Sequence, residues 1–321
     1  ILILINGQKL SGDISNNVDL NRINMSRVKR IEILDGAASS LYGSDAIGGV
    51  INIITDQPTS SVCSVTNTTS VSGHGQLTES VNLDIYEKGF GSYTSFSHDR
   101  ADSYQNNDLE YKKGSDTETQ PTIAPLYTGF RSNIFGQKFT YTPTDNLALN
   151  AGIDYSYKIT DRPDTRADIT GGTDYEMRYK GLRWNLGGIY KFSAKNSLQA
   201  NFTVDRFRYG KEYDVESKNY AIGDYVQSKK QRMMEGEVKA ILGLMQGSTT
   251  IFGANWRKDW LTATSGDIHQ NTYTFAAYAQ HEHKVKVGNG FATATAGLRY
   301  NRHETFGDEK LRSEERFSRN A

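Results

Sequence analysis

Side chains change character at every second position over stretches too long for an ordinary soluble strand, and this pattern constrains the fold more than any single motif. In the clearest stretch, Leu147, Leu149, Ala151, Ile153, Tyr155, Tyr157 and Ile159 alternate with Ala148, Asn150, Gly152, Asp154, Ser156 and Lys158. A period of two places the first set on one face of a strand and the second on the other. The same alternation runs through Leu182–Phe192, Leu198–Val204, Val238–Leu244 and Ala292–Tyr300. Strands of roughly 10 to 13 residues exceed the usual five or six of soluble sheets. They match the tilted membrane strand of about 9 to 11. Composition agrees: 30 Gly against 5 Pro, with 19 Tyr, 13 Phe and 3 Trp in a polar background, suits strands whose two faces meet different solvents.

The connections sharpen this reading. Strands are expected at about 62–72, 76–86, 90–100, 130–142, 147–159, 179–192, 197–209, 232–244, 249–260, 272–285 and 291–302. Short turns fall at Glu87–Gly89, Pro143–Asn146, Ser193–Asn196, Met245–Ser248 and Lys286–Gly290, and longer polar segments at about 101–129, 160–178, 210–231 and 261–271. Short turns at one end and long loops at the other are how outer-membrane barrels are built. A soluble β-sandwich is the plainer alternative; strand length, aromatics near strand ends and the parity of the connections argue against it. No helical span is possible, because the longest aliphatic run is Ile1–Ile5 and a span needs about 20 apolar residues. Zero net charge, with 37 basic and 37 acidic residues, argues against nucleic acid as a partner. The lone Cys63 excludes a disulfide framework.

Residues 1–57 differ in kind from residues 58–321 and read as a separate small α+β unit. Ile1–Ile5 is a buried-type strand closed by the turn dipeptide Asn6-Gly7. Val28–Leu34 fits either a helix or a strand, since Val28, Ile31 and Leu34 have helical spacing while Ile31 and Ile33 alternate. Gly43–Thr55 is a glycine-punctuated turn leading into a β-branched strand. Gly36, Gly43, Gly48 and Gly49 permit left-handed backbone or close approach to a surrounding wall. Arg30 and Glu32 share a strand face, where either would pair with charges on such a wall or simply hold the unit together.

The run from Arg30 to Thr55, R-I-E-I-L-D-G-A-A-S-S-L-Y-G-S-D-A-I-G-G-V-I-N-I-I-T, closely resembles the end of the plug domain of TonB-dependent outer-membrane receptors. Ile1–Gly7 resembles the preceding plug strand, and Gly297-Leu298-Arg299-Tyr300 is similar to a common receptor strand. Asp35 stands where the family often has a basic residue, and Ala37 replaces its usual proline. The resemblance covers about the first 55 residues and implies that residues 1–57 are the C-terminal part of the plug. Residues 58–321 would then be a partial antiparallel transmembrane barrel, with about 11 of about 22 strands. On this reading the chain, which opens at Ile1 without a Met, is an internal piece whose TonB-contacting segment lies upstream. Alone it would leave two strand edges unpaired in lipid.

The function the resemblance implies is TonB-dependent uptake of a scarce ligand across the outer membrane of a Gram-negative bacterium. The ligand would be a small metal chelate or cofactor of the ferric siderophore, haem or cobalamin class; glycan reception, a passive channel and an adhesin barrel are the alternatives. Outer-membrane lipid and TonB are the implied partners, and no resident cofactor is expected. No P-loop, zinc-protease or G-x-S-x-G motif is present. The plug motif residues Arg30, Glu32, Gly36, Tyr42, Gly43, Gly48, Gly49 and Asn52 are the gating and structural candidates. Tyr104, Tyr111 and Tyr127 in one loop, and Tyr213 and Tyr220 in another, are candidates for stacking on a flat ligand. Asp161, Asp164, Asp168 and Asp174 offer oxygen ligands for a loop-bound Ca2+, although interleaved Arg162 and Arg166 make a self-neutralised loop the plainer reading. His281 and His283 share a strand face, where a metal pair or two polar side chains at a lumen or rim position are the alternatives.

Overall fold

A computed structural model of the chain describes residues 1–11, 18–34, 39–46, 48–55, 61–102, 110–112, 119–121, 129–162, 175–214, 216, 219–264, 266–287, 290–304, 307–312 and 316–320. Two sheets carry the architecture. The first is a small sheet of β1 (Leu2–Ile5), β2 (Gln8–Lys9), β3 (Val28–Leu34) and β4 (Val50–Thr55) in the order β2-β1-β4-β3, with α1 (Ser39–Tyr42) between β3 and β4. β1 runs parallel to β4, and the other pairs are antiparallel. Asn6 (φ 51°) and Gly7 (φ 80°) both adopt the left-handed backbone that a two-residue turn between β1 and β2 requires. Leu2, Leu4, Ala46 and Val50 pack on one side of this sheet, and Leu10, Ile23 and Ile53 on the other. Val28–Leu34 is a strand, in which Ile31 pairs with Ile53; its helical spacing is a coincidence that ladder pairing overrides.

The second sheet has thirteen strands. Eleven are long: β5 (Val62–Val71), β6 (Leu77–Glu87), β7 (Phe90–Ala101), β10 (Phe130–Thr144), β11 (Leu147–Arg162), β12 (Tyr175–Lys191), β13 (Ser197–Tyr213), β14 (Tyr225–Leu242), β15 (Ser248–Ala263), β16 (Ile268–Val287) and β17 (Gly290–His303). A detached pair, β8 (Glu110–Lys112) and β9 (Thr119–Pro121), lies between β7 and β10, and the short β18 (Gly307–Arg312) and β19 (Arg316–Asn320) both pair with β17. Every long strand pairs antiparallel with its sequence neighbour among the long strands. All eleven lie where alternation placed them, but β12 to β16 reach several residues further toward the long connections. Those extensions mix polar and apolar residues without clean alternation, while still continuing the hydrogen-bonded ladder. β14 also stops two residues early, leaving Leu244 and Met245 in the turn.

Register assigns the faces. Phe135, Tyr155, Ile153, Trp184, Leu186, Phe202, Val238, Phe252, Trp256, Phe275 and Leu298 fall on one face through successive cross-strand pairs. Many of them are exposed, Leu186 at 51% and Leu298 at 62%. The opposite face presents Asp84, Asp154, Arg183, Asp205, Glu235, Arg257 and Arg299 and carries the small sheet against it. An apolar exterior over a polar interior is the arrangement of a transmembrane β-barrel wall and the inverse of a soluble sandwich. Among the described residues no helix is long and apolar enough to cross a membrane.

Candidate functional site

The small unit is tied to the wall by four sets of polar contacts, each built from a charged residue at an inward position of a strand. At β13, Asp205 is fully buried and accepts hydrogen bonds from the Ser11 backbone N–H (3.1 Å) and Ser11 Oγ (2.7 Å). Asp205 also pairs with Arg22, whose Nη1 donates to the Ser11 carbonyl at 3.0 Å and whose guanidinium lies 4.8 Å from the Phe207 ring centre. This approach needs Gly181 on β12: a Cβ there would lie 2.9 Å from Arg22 Nε. At β6, Arg27 Nη1 reaches Asp84 at 2.7 Å, and Asn82 Nδ2 donates to Ser26 Oγ at 3.1 Å. Asp19 and Asn24 cap the two short 3-10 turns that aim Arg22 and Arg27 outward from the sheet.

At β12 and β13, Gln8 Oε1 accepts from Arg183 Nη2 (3.2 Å) and Thr203 Oγ1 (3.0 Å). At β15 to β17, Lys9 pairs with Asp45, which Arg257 Nη1 also meets at 3.2 Å, while Arg257 Nε is held by Asp259 at 2.6 Å. Arg299 spends its three nitrogens on Asn301 Oδ1 (2.7 Å), the Leu41 carbonyl (2.8 Å) and Asn255 Oδ1 (3.0 Å). Burial works to raise the Asp45 carboxyl, but Lys9 and Arg257 outweigh it and hold the group below its ordinary value. Burial and the Arg257 charge pull the Lys9 ammonium down.

Between unit and wall lie two cavities, of about 300 and 390 Å³. The first is lined by Gln8, Asn24, Lys138, Asp154 and Arg183, the second by Tyr42, Asp45, Glu235, Arg257 and Arg299. Arg22 Nε, Asn24 Nδ2 and Arg183 Nε are buried without a protein partner at the first cavity, as expected of a wetted polar seam.

The plug-motif residues take a different part from the one their charges suggest. Arg30 does not reach the wall; its Nε and Nη2 donate to Glu32 at 2.9 and 2.7 Å. Glu32 also accepts from Asn52 Nδ2 at 3.0 Å, and the Arg30 hydrogen bond holds its carboxyl below the ordinary range. β3 is the edge strand of the small sheet, and the described wall lies against the β2 side and the turns, so this pair is exposed. Asn52 also accepts from the Gly7 N–H at 2.9 Å, joining the turn to β4. Tyr42 packs on the Leu2–Val50 cluster, and burial, with Glu237 nearby, pushes its phenol up. Gly43 (φ 83°) takes the left-handed backbone that favours glycine, where a Cβ would only touch Arg299 Nε at 3.4 Å. Gly48 abuts Ile1, and Gly49 (φ 104°) turns the chain into β4. Gly36 lies outside the described residues.

Of the loop tyrosines, Tyr213 ends β13 on the inward face and stacks on Tyr220 (4.1 Å, 9°), with Tyr175 6.2 Å away. Tyr104 and Tyr127 lie outside the described residues, and Tyr111 is placed only as part of β8. Asp161 lies near the end of β11, opposite Glu176, while Asp164, Asp168 and Asp174 lie outside the described residues. His281 and His283 stack at 6.2 Å on the outward face near the short turns, not in the lumen, and His281 Nδ1 is 2.8 Å from Thr250 Oγ1. Register places Asp84, Asp205, Arg257 and Arg299 on the inward side of their strands. Nothing local marked them as anchors, because their partners are 57 to 258 residues away.

A family profile described as the TonB-dependent Receptor Plug Domain matches residues 1–50, which carry β1, β2 and β3 of the small sheet and end at the start of β4. Over those residues the chain matches the plug domain of TonB-dependent receptors. A curated relative, the vitamin B12 transporter BtuB of Photobacterium profundum, is 41% identical over 92 residues, which are 28% of this chain and 15% of the relative. In fold, the chain is similar to a mutant of the ferric enterobactin receptor PfeA of Pseudomonas aeruginosa. That likeness has a TM-score of 0.77 at 17% identity, over 97% of this chain and 51% of the other. The siderophore receptor PirA of P. aeruginosa gives a TM-score of 0.67 at 20% identity, over 97% and 49%. The FrpB iron transporter of Neisseria meningitidis (F3-3 variant) gives 0.70 at 13%, over 99% and 54%. The chain thus spans about half the length of the solved receptors it matches.

Proposed function

We propose that the protein to which this chain belongs takes up a scarce ligand of the ferric siderophore, haem or cobalamin class across the outer membrane, driven by TonB. The observation that carries this reading is the seam between plug and wall. A plug held only by packing would be either loose or permanent, whereas Asp205, Asp84, Arg257 and Arg299 hold it by a few directional contacts beside cavities of about 300 and 390 Å³. Contacts of that kind hold firmly at rest, and pulling on the plug breaks them one at a time. The similarity to a vitamin B12 transporter and the fold shared with siderophore receptors support the ligand class. Binding and gated release are the whole mechanism, with no bond made or broken by the receptor.

In this reading Tyr213 and Tyr220, with Tyr104, Tyr111 and Tyr127, contribute ligand-facing aromatics at the outer mouth. Gly36, Gly43, Gly48, Gly49, Tyr42 and Asn52 shape the plug, and Arg30 and Glu32 brace its edge strand. The acidic positions Asp161, Asp164, Asp168 and Asp174 are the place to look for a loop-bound Ca2+. The test expresses the full-length receptor in a Gram-negative host lacking its own cobalamin and ferric-siderophore receptors. Uptake of labelled cobalamin, haem and a ferric catecholate is then measured with and without TonB. TonB-dependent accumulation of one ligand supports the proposal; equal, non-saturable flux with and without TonB refutes it.

A further inference from the structure

We infer that the first cavity, between the small unit and β10 to β12, is a binding site for one small monovalent anion of the halide kind. The site is part of the resting structure and does not depend on which ligand is transported. Five cations line this cavity, Arg22, Arg27, Lys138, Arg183 and Lys239, against a single carboxylate, Asp154. Three of the five are neutralised by carboxylates outside the lining: Arg22 by Asp205, Arg27 by Asp84 at 2.7 Å and Lys239 by Glu237 at 3.8 Å. Lys138 and Arg183 then face Asp154 alone, which leaves one positive charge in excess. An unbalanced charge in a seam between protein surfaces is costly, and water that satisfies its hydrogen bonds does not remove it.

The spare hydrogen-bonding groups point the same way. Asn24 Oδ1 accepts from the Ser26 N–H (3.0 Å) and Ser26 Oγ (2.7 Å), which leaves Nδ2 buried and unpartnered. Gln8 Oε1 already accepts from Arg183 and Thr203, and Gln8 Nε2 donates to Asn201 Oδ1 at 3.3 Å. Arg22 Nε and Arg183 Nε are buried without partners, Arg183 being only 4% exposed. Among the described residues, the Lys138 ammonium has no ion pair or hydrogen bond, and Asp154, although opposite Arg183 in the ladder, has none either. Three N–H donors and an ammonium around one cavity require a species that only accepts, and an anion is that species.

The wall leaves room for it. Gly181, then Arg183 with Asp154 opposite, then Gly152 with Lys138 opposite fall on three consecutive inward rows. Such rows are about 6.8 Å apart, so an ion over β11 beside Arg183 lies within reach of the flexible Lys138 chain on one side and of Arg22 on the other. A Cβ at Gly181 would stand 2.9 Å from Arg22 Nε, in the space an anion's contact needs. Asp154 faces the same cavity, so a monovalent ion balances the surplus whereas a divalent one overshoots it.

Crystals of the full-length receptor grown with bromide as the only halide test the inference directly. An anomalous difference peak is expected in this cavity, within hydrogen-bond reach of Arg22 Nε or Arg183 Nε. In solution, line broadening of the chloride NMR signal by the receptor, in a bulky sulfonate buffer at constant ionic strength, should be saturable and displaced by bromide more readily than by sulfate. Lys138→Gln, with no protein partner to lose, should weaken binding about tenfold. Asn24→Asp keeps the acceptor for Ser26 but sets a carboxylate in the cavity, and should abolish binding. Lys258→Gln, on the outward face with Trp256, should leave it unchanged. If Lys138→Gln loses heat-modifiable gel migration, Asn24→Asp carries the test, and the bromide map needs no variant. An empty cavity in that map, a carboxylate of the receptor's own chain seated there, tighter binding of sulfate than of bromide, or unchanged binding in folded Lys138→Gln would each overturn the inference. Equal bromide occupancy in Asn24→Asp would also overturn it, marking an adventitious ion only.

Discussion

Asp205 is the wall residue on which the plug most depends, and replacing it with alanine is the sharpest perturbation available. The carboxylate is wholly buried and meets the Ser11 N–H, Ser11 Oγ and Arg22. Its loss leaves the Arg22 guanidinium, with a side chain only 6% exposed, without its ion-pair partner. Removing one partner of a buried ion pair costs about 3 to 5 kcal/mol, mostly from the charge left behind. By the same logic, Asp205→Leu combined with Arg22→Met should recover most of that loss, because no uncompensated charge remains. The exposed Arg30–Glu32 pair provides the control, since Arg30→Ala should cost under about 1 kcal/mol. The assay is urea unfolding of the plug in the full-length receptor, read from a fluorophore on Leu20→Cys, an exposed position beside Arg22, with the exposed Cys63 changed to serine. If Asp205→Ala moves the midpoint no more than Arg30→Ala does, the claim that this buried pair anchors the plug is wrong.

Gly181→Val should act through the same anchor, because a Cβ 2.9 Å from Arg22 Nε forces the guanidinium off its seat. In the same unfolding assay its effect should match Asp205→Ala in direction and add little when the two are combined. Acid sensitivity follows from Asp45. Its carboxyl is held below the ordinary value, so its contribution is complete above about pH 4 and is lost as pH falls through the depressed value. Plug midpoints should therefore be flat from neutrality to about pH 4 and fall below it, and Asp45→Asn should reduce that fall. A wild-type midpoint that begins falling near pH 6 would contradict the assignment.

Alternation along residues 147–159 and its counterparts is enough to place all eleven long strands and to tell lipid side from lumen side. The reason is local: a strand between hydrocarbon and water must show a period of two, whatever it pairs with. The same local logic covers the Asn6-Gly7 turn and the β-branched run Val50–Thr55. It fails where both faces are polar, as at Tyr225–Gln231, because hydrogen-bonded pairing beyond the membrane leaves no hydropathy trace.

Only the tertiary structure decided which inward charges are anchors. Arg30 and Glu32, the charges most visible in the motif, satisfy each other at the edge strand. Arg22 and Arg27, carried on two short 3-10 turns, reach the wall instead. Their partners are fixed by how the small sheet sits against thirteen strands, a relation between residues 183 and 57 apart. Hydrophobic periodicity is written residue by residue along a chain, whereas charge complementarity between distant segments exists only once folding has brought them together.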